Sequence, residues 1–348
     1  MSKVSAYAAK SNDGKMQPFS IERRDVQPKD VKIDILYCGV CHSDLHAIKN
    51  DWGNSTYPLV PGHEIIGRVI DVGSEVTNYS KGDTVGVGCL VDSCLSCDAC
   101  EDNLEQHCFK RPTMTYNSKT DDPGGMTYGG YSKSIVVREE FVLKVPENLD
   151  AAGAAPLLCA GITTYSPLHQ YGVKEGMTVG IIGLGGLGHM GIKLSAAMGA
   201  HTVMITTSES KAADAKDLGA HEVLISSNKD DMKTWTGKFD FLLNTIPVGH
   251  DINPYIKLLK HDSTMCLVGA LEPLESVNGA LLISGRKAVS GSFIGGLKET
   301  QEMLDFCGEH NVVSTIEKID MSDINEAFER MKDNDVRYRF VIDMSTLD

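Results

Sequence analysis

Four cysteines crowd one stretch of this chain, LVDSCLSCDACEDNLEQHC: Cys94, Cys97, Cys100 and Cys108. In a reducing compartment, thiols this close together point to metal binding or catalysis before disulfides. A bacterial-type iron–sulfur cluster asks for C-x2-C-x2-C-x3-C-P; here seven residues separate the last pair and Phe109 follows Cys108. C-x2-C-x2-C-x7-C can instead wrap one tetrahedral ion, and four thiolates with no open position make a structural zinc site. The densest metal motif therefore reads as a staple rather than a reaction centre.

Three further segments carry residues able to hold a metal. They are GVCHSDLH (Cys41, His42, Ser43, Asp44, His46), PGHE (His63, Glu64) and PLLCAGITTY (Cys159). Taken singly, Cys41 and Cys159 read equally well as small buried hydrophobes, and His63 as a loop histidine. Another chemistry is written in GIIGLGGLGHMG, where Gly183-Leu184-Gly185-Gly186-Leu187-Gly188 matches G-x-G-x-x-G between a strand and a helix-compatible run. Gly183 would allow the tight turn, Gly185 the approach of a pyrophosphate, and Gly188 close packing of helix on strand. The helix N-terminus would then offer free N–H groups to the phosphates. About 20 residues further on, an acid would bind the ribose of NAD. Thr206, Thr207 and Ser208 stand there instead, with Lys211 one turn on. That set suits a 2′-phosphate, so NADP(H) is expected in preference to NAD(H).

The elements that must position these groups change rhythm near Asp150. Residues 1–150 read as short strands with Gly- and Asp-rich breaks: VKIDILYCG, EIIGRVIDVGSEV, DTVGVG, YSKSIVV and FVLKVP. A long irregular excursion, Arg111 to Gly130, interrupts them; loops of this length tend to be functional or mobile. From Val179 onward, TVGIIG, TVMITT, EVLISS, FDFLLNT, STMCLVG and AVSGSFIG alternate with helical stretches, the signal of a doubly wound parallel sheet. Two amphipathic patterns follow, ETQEMLDFC and DINEAFERM. The strand-like RYRFVIDM then returns to the first domain.

Charge and composition narrow the partners. Lys and Arg total 33 against 47 Asp and Glu, a net charge of −14. So acidic a surface repels nucleic acid. The N-terminal MSKVSAYAAKSNDGKMQ has no apolar h-region of a secretory signal. No run approaches the ~18 apolar residues of a membrane span. A cytoplasmic protein with reduced thiols, and no nucleic-acid or membrane partner, is expected.

GVCHSDLH, PGHE, the four-cysteine loop, PLLCAGITTYSPL, GLGGLG and GSFIGG occur in this order along the chain. Together they resemble a zinc-dependent medium-chain alcohol dehydrogenase of the cinnamyl alcohol dehydrogenase-like branch. The resemblance implies an α/β chain with a GroES-like, strand-rich catalytic domain at 1–153 and 295–348. A doubly wound Rossmann domain would occupy 154–294. By the same resemblance Cys41, His63 and Cys159 hold a catalytic zinc, with Glu64 as a fourth or alternating ligand, and Asp44 orients the zinc histidine. Ser43 and His46 relay the alcohol proton to solvent, while His42 has no assigned role. Thr163, Leu184 to Gly188, the Thr206–Ser208 run with Lys211, Thr245, Gly269 and Ser292, Phe293 and Ile294 match cofactor contacts. Trp52 and Met114 match residues lining the substrate channel. Plant relatives commonly carry a large aromatic where Met114 stands, which leaves aromatic and medium-chain aliphatic aldehydes both open.

The implied activity is hydride transfer between NADP(H) and a small alcohol or aldehyde, with two Zn2+ per chain and a homodimer formed through the cofactor domains. Polyol dehydrogenases are the nearest rival, but they usually present a carboxylate where Cys159 stands. Quinone reductases of this fold lack the zinc ligands. A non-catalytic NADP-binding protein would have no need of Ser43 and His46 beside an open zinc.

Overall fold

The strand Asp30–Gly39 organises the amino-terminal half, its Val31, Ile33 and Ile35 buried on alternate positions. It pairs antiparallel with Ile65–Val72 along one edge and with Ser134–Arg138 and Arg339–Asp343 along the other. The computed structural model describes residues 1–269 and 272–347. It divides the chain into Met1–Cys159 with Gly296–Asp348, and Ala160–Gly295. The first division falls between Cys159 and Ala160 rather than after Gly153, because the turns Ala151–Ala154 and Ala155–Leu158 pack on the strands of the first unit.

In the first unit the sheet runs on through Thr84–Val87 to Leu143–Lys144 and, at its opposite edge, through Arg339–Asp343 to Ile316–Asp320. The carboxy-terminal strand thus returns to the first unit, with Val341 opposite Gly39. An antiparallel pair, Ser2–Ala9 with Met16–Arg23, adds to the strands expected from the sequence. Its inward residues include Ala6, Ala8 and Ala9, too small to mark a strand by hydrophobic contrast. FVLKVP contributes only the two-residue strand Leu143–Lys144. The excursion holds a short strand, Thr113–Met114, against Leu90–Asp92. Ile324, Ala327, Phe328 and Met331 are the buried face of helix Ile324–Lys332, spaced as a helix against a core requires.

One helix matters most for the site. His42–Lys49 follows the strand Asp30–Gly39 with two residues between them, and it is fixed at both ends. Cys41 is its N-cap, and the Asp44 carboxylate accepts the Cys41 N–H at 2.9 Å, closing a capping box. Asn50 ends the helix in the left-handed conformation, at φ 60°.

The second unit holds all six strands of the alternating pattern in one parallel sheet. Its order is Glu222–Ile225, His201–Thr206, Thr178–Ile182, Phe239–Asn244, Leu259–Leu267, Ala288–Gly291. Counted along this unit the order is 3-2-1-4-5-6, which puts the reversal of direction beside Thr178–Ile182, where dinucleotides bind. The sheet core is apolar throughout: Val203, Ile205, Phe239, Leu242 and Met265 are buried.

Candidate active site and metal centres

Two groups of side chains converge as metal cages in the first unit: Cys94, Cys97, Cys100 and Cys108, and Cys41, His63, Glu64 and Cys159. In each, the ligand atoms all lie within 4.8 Å of one another. Among the described residues all ten cysteines are free thiols.

The four-cysteine lobe is built from one tight turn and one short helix. Cys97 caps helix Asp98–Glu101, which carries Cys100, and Leu95 takes a positive φ of 51° to fold the loop back. The Cys97 and Cys100 sulfurs are 3.6 Å apart, and Cys94 and Cys100 3.9 Å. Two sulfurs each ~2.3 Å from one tetrahedral ion would stand roughly 3.8 Å apart, so the cage fits zinc. Backbone N–H groups point at the sulfurs, Phe109 at Cys97 and Cys94 at Cys108, both 3.4 Å. A backbone hydrogen bond from Ser96 brings Cys94 down to about 6, while burial lifts Cys100 to about 11. Four thiols within reach of one another share protons unevenly unless a cation replaces them.

The second cage is assembled from three distant segments. Cys41 caps the helix His42–Lys49, His63 and Glu64 lead into the strand Ile65–Val72, and Cys159 follows the turn Ala155–Leu158. All four are buried. The Cys41 and Cys159 sulfurs lie 3.9 Å apart, again the separation of two ligands on one ion. The Cys159 thiol beside it holds Cys41 well below the usual thiol range against the effect of burial, and Arg339 and His63 add to this. Burial alone would lower His63, but Cys89 and Asp44 raise it well above an ordinary imidazole. The cage therefore draws positive charge inward, as the seat of a divalent cation should.

Glu64 is fully buried, paired through Oε1 to the equally buried Arg339, while among the described residues its Oε2 has no hydrogen-bond partner. Burial pushes its carboxyl up to about 7 despite Arg339. Gly39 makes room for it: a Cβ there would stand 1.9 Å from Glu64 Oε2. A carboxylate oxygen left open inside a ring of zinc-type donors fits an occasional fourth ligand.

Around this cage the helix His42–Lys49 supplies three groups. Asp44 Oδ1 is 3.2 Å from His63 Nδ1, so the carboxylate fixes the ring and leaves Nε2 for a metal. Ser43 and His46 lie one helical turn apart on the same face, both partly exposed. His46 Nδ1 is 2.8 Å from Asp51 Oδ2 and its ring 5.7 Å from Trp52. Trp52 is 44% exposed. Met114 sits partly buried on its short strand, and it is Tyr116, two residues on, whose ring lies tilted 5.7 Å from that of His63. Sequence reasoning passed over Asp51, Tyr116, Tyr131, Cys89 and Arg339. Arg339 alone left a trace, as a charge at the head of the apolar run Phe340–Ile342.

In the second unit the glycine motif does what its spacing asks. Gly183 turns at φ 95°, and Gly185 caps the helix Gly186–Ala197. A Cβ on Gly188 would meet the Gly183 carbonyl oxygen at 1.9 Å, so only glycine lets the helix start there. Leu184 is buried and Leu187 partly so. Thr245 donates to the Ile182 carbonyl at 2.8 Å, and its own carbonyl oxygen would be 2.4 Å from a Cβ on Gly269. The strand His201–Thr206 ends without a carboxylate. The buried Thr206 hydroxyl accepts the Ser208 N–H at 3.3 Å, Thr207 is exposed, and Lys211 Nζ donates to the Leu184 carbonyl at 3.2 Å. Thr163 is buried in the helix Ala160–Gln170. The Ser292 N–H bonds the Leu267 carbonyl at 3.1 Å, Phe293 is 51% exposed, and Ile294 takes φ 42°. A left-handed β-branched residue is strained backbone, which tends to persist at ligand sites.

Comparison with known proteins meets this geometry. Residues 27–147 match the alcohol dehydrogenase GroES-like domain and residues 186–309 the zinc-binding dehydrogenase domain. The aldehyde reductase YahK of Escherichia coli (strain K12) is 55% identical over 346 residues, 99% of this chain and 98% of its own. A cinnamyl alcohol dehydrogenase of Sorghum bicolor superposes with a TM-score of 0.95 at 44% identity, covering 100% of this chain and 99% of that one. The Helicobacter pylori CAD, solved with NADP(H), superposes at 0.92 with 39% identity, covering 99% of each. The chain belongs to the zinc-dependent medium-chain alcohol dehydrogenases, in their cinnamyl alcohol dehydrogenase-like branch. It is therefore an oxidoreductase with a GroES-like unit and a Rossmann unit. No helix among the described residues is long and apolar enough to cross a membrane.

Proposed function

We propose that this protein is an NADP(H)-preferring alcohol dehydrogenase working mainly as an aldehyde reductase on aromatic or medium-chain primary substrates. One observation carries the reading: the buried cage of Cys41, His63, Glu64 and Cys159 adjoins Asp44, on a helix that also presents Ser43 and His46. Cys41, His63 and Cys159 would hold one zinc, with Glu64 within reach of it, and Cys94, Cys97, Cys100 and Cys108 a second. The bound zinc supplies Lewis acidity at the substrate oxygen and the nicotinamide supplies or accepts the hydride.

The chain's own groups do the rest. Asp44 holds His63 in one tautomer, so its Nε2 lone pair stays available to the metal. Ser43 is the hydroxyl that passes the alcohol proton, and His46, one turn on, receives it. The Asp51 carboxylate accepts from His46 Nδ1–H, leaving Nε2 to exchange protons with Ser43 and water. In the reductive direction the same groups deliver a proton to the product. Lys211 and the hydroxyls of Thr207 and Ser208 would engage a 2′-phosphate, a preference supported by the NADP(H) complex of the Helicobacter pylori relative. Trp52 and Met114 would line the route for the substrate's apolar body. A dimer formed edge to edge is in keeping with Ala288–Gly291 being the last strand of its sheet.

The test is a panel of aldehydes, alcohols and polyols with both cofactors, run beside metal quantification. We expect two zincs per chain and NADPH-dependent reduction of benzaldehyde or cinnamaldehyde. Cys159→Ala should lower turnover by on the order of a thousandfold, keep the cofactor affinity and hold one zinc fewer. Equal turnover in that variant, or a clear preference for polyols, would overturn the reading.

A further inference from the structure

Asp44 receives more hydrogen bonds than orienting one histidine requires. Its carboxylate is 0% exposed. Oδ1 accepts the Gly62 N–H at 3.1 Å and faces His63 Nδ1 at 3.2 Å. Oδ2 accepts the Cys41 N–H at 2.9 Å and the Tyr131 hydroxyl at 3.2 Å. A carboxylate has about four lone-pair sites, so these donors leave it no freedom to turn.

Tyrosines stand toward both ends of the Arg111–Gly130 excursion. Tyr116 lies near its start, its ring tilted 40° to that of His63 with centroids 5.7 Å apart. Tyr131 follows its end, fully buried, and packs so closely on the PGHE turn that a Cβ on Gly62 would meet its ring at 2.7 Å. Between them the excursion is tied down by the Arg24–Asp122 ion pair at 3.0 Å and a bridge of Lys119 to Met126.

We propose that Tyr131 is a positioning residue for the metal histidine: its hydroxyl clamps Asp44 where the excursion ends and so sets how firmly the cage of Cys41, His63 and Cys159 retains its zinc. Tyr131 is no metal ligand. It acts through Asp44, because a buried carboxylate that loses a donor is under-bonded and free to rotate. His63 then loses the partner that fixes its tautomer and ring plane. The excursion thereby acquires a role beyond bordering the site.

This inference rests on the cage being the catalytic zinc site, and the experiment separates the two. Tyr131→Phe keeps the ring and deletes only the hydroxyl. Tyr79→Phe is the control, since its hydroxyl serves the Val142 carbonyl elsewhere in the same unit. Two quantities are read on zinc-loaded protein: the rate of zinc transfer to a chromogenic chelator, and the low-field proton resonance of His63 Nδ1–H. Tyr131→Phe should release the catalytic zinc roughly three- to tenfold faster and shift the His63 resonance. Tyr79→Phe should change neither. Wild-type rate and resonance in Tyr131→Phe would overturn the clamp while leaving the zinc site intact. A wild type holding zinc only at the four cysteines would overturn the site and the clamp together. Should Tyr131→Phe fail to fold, 3-fluorotyrosine at residue 131 decides: its more acidic hydroxyl donates more strongly, so an unchanged His63 resonance would overturn the clamp.

Discussion

Lys211 Nζ donates to the Leu184 carbonyl in the middle of the glycine motif, 3.2 Å away. A cation so placed can exchange that carbonyl for a phosphate, a stronger charge-assisted partner. Lys211→Ala should raise the KM for NADPH roughly tenfold, the ~1.4 kcal/mol of one charge-assisted contact, and that for NADH less than twofold. Steady-state kinetics with both cofactors checks this; a proportional rise in both would refute the 2′-phosphate role. Lys211 could be found from sequence because it lies a counted distance beyond a motif. Asp51, Tyr116 and Tyr131 could not, because nothing in their spacing says that they face His46, His63 and Asp44. Glu64 and Arg339 make the same point from the far ends of the chain. Their pairing is a product of Arg339–Asp343 joining the sheet beside Asp30–Gly39.

Among the elements, the four-cysteine lobe contains its own explanation. Its ligands lie within one short segment, so the cage closes with local geometry alone and needs little from the rest of the fold. Glu105, inside it, accepts the Leu297 N–H at 2.9 Å, which ties the lobe to the helix Leu297–His310. Opening the cage should therefore loosen more than the loop. Cys97→Ala should lower the unfolding temperature by on the order of 10 °C, from about 3 kcal/mol at about 2–4 °C per kcal/mol. Calorimetry of metal-loaded protein reads it directly, and an unchanged transition would contradict a structural role. The helix His42–Lys49 is the opposite kind of element. Its capping box uses Cys41 and Asp44, two residues of the site, so local folding and site assembly are one event there. Pattern reading succeeded with the Rossmann strands because each is a short apolar run between helices. It failed at Ser2–Ala9, whose buried alanines give no contrast.

For the whole molecule, the net charge of −14 leaves an acidic surface on which only local features attract a phosphate. The glycine motif provides such a feature through backbone amides and a helix N-terminus rather than through net charge. Among the described residues the sheet of the second unit ends in Ala288–Gly291, a strand with a neighbour on one side only. Light scattering of the metal-loaded protein should give about twice the 37.7 kDa of one chain. A monomer at micromolar concentration would rule out the edge-to-edge dimer.

The sequence by itself determined whatever is encoded by short-range spacing. C-x2-C-x2-C-x7-C defines a cage, G-x-G-x-x-G a phosphate turn, and six apolar runs between helices a parallel sheet. Each works because its residues are neighbours along the chain, so distance in sequence stands for distance in space. Only the tertiary structure decided how Cys41, His63, Glu64 and Cys159 come within 4.8 Å of one another. It alone put Arg339 on Glu64, and set the hydroxyl of Tyr131 on Asp44. Those contacts depend on strand register and on where a long loop begins and ends, which composition and periodicity do not specify.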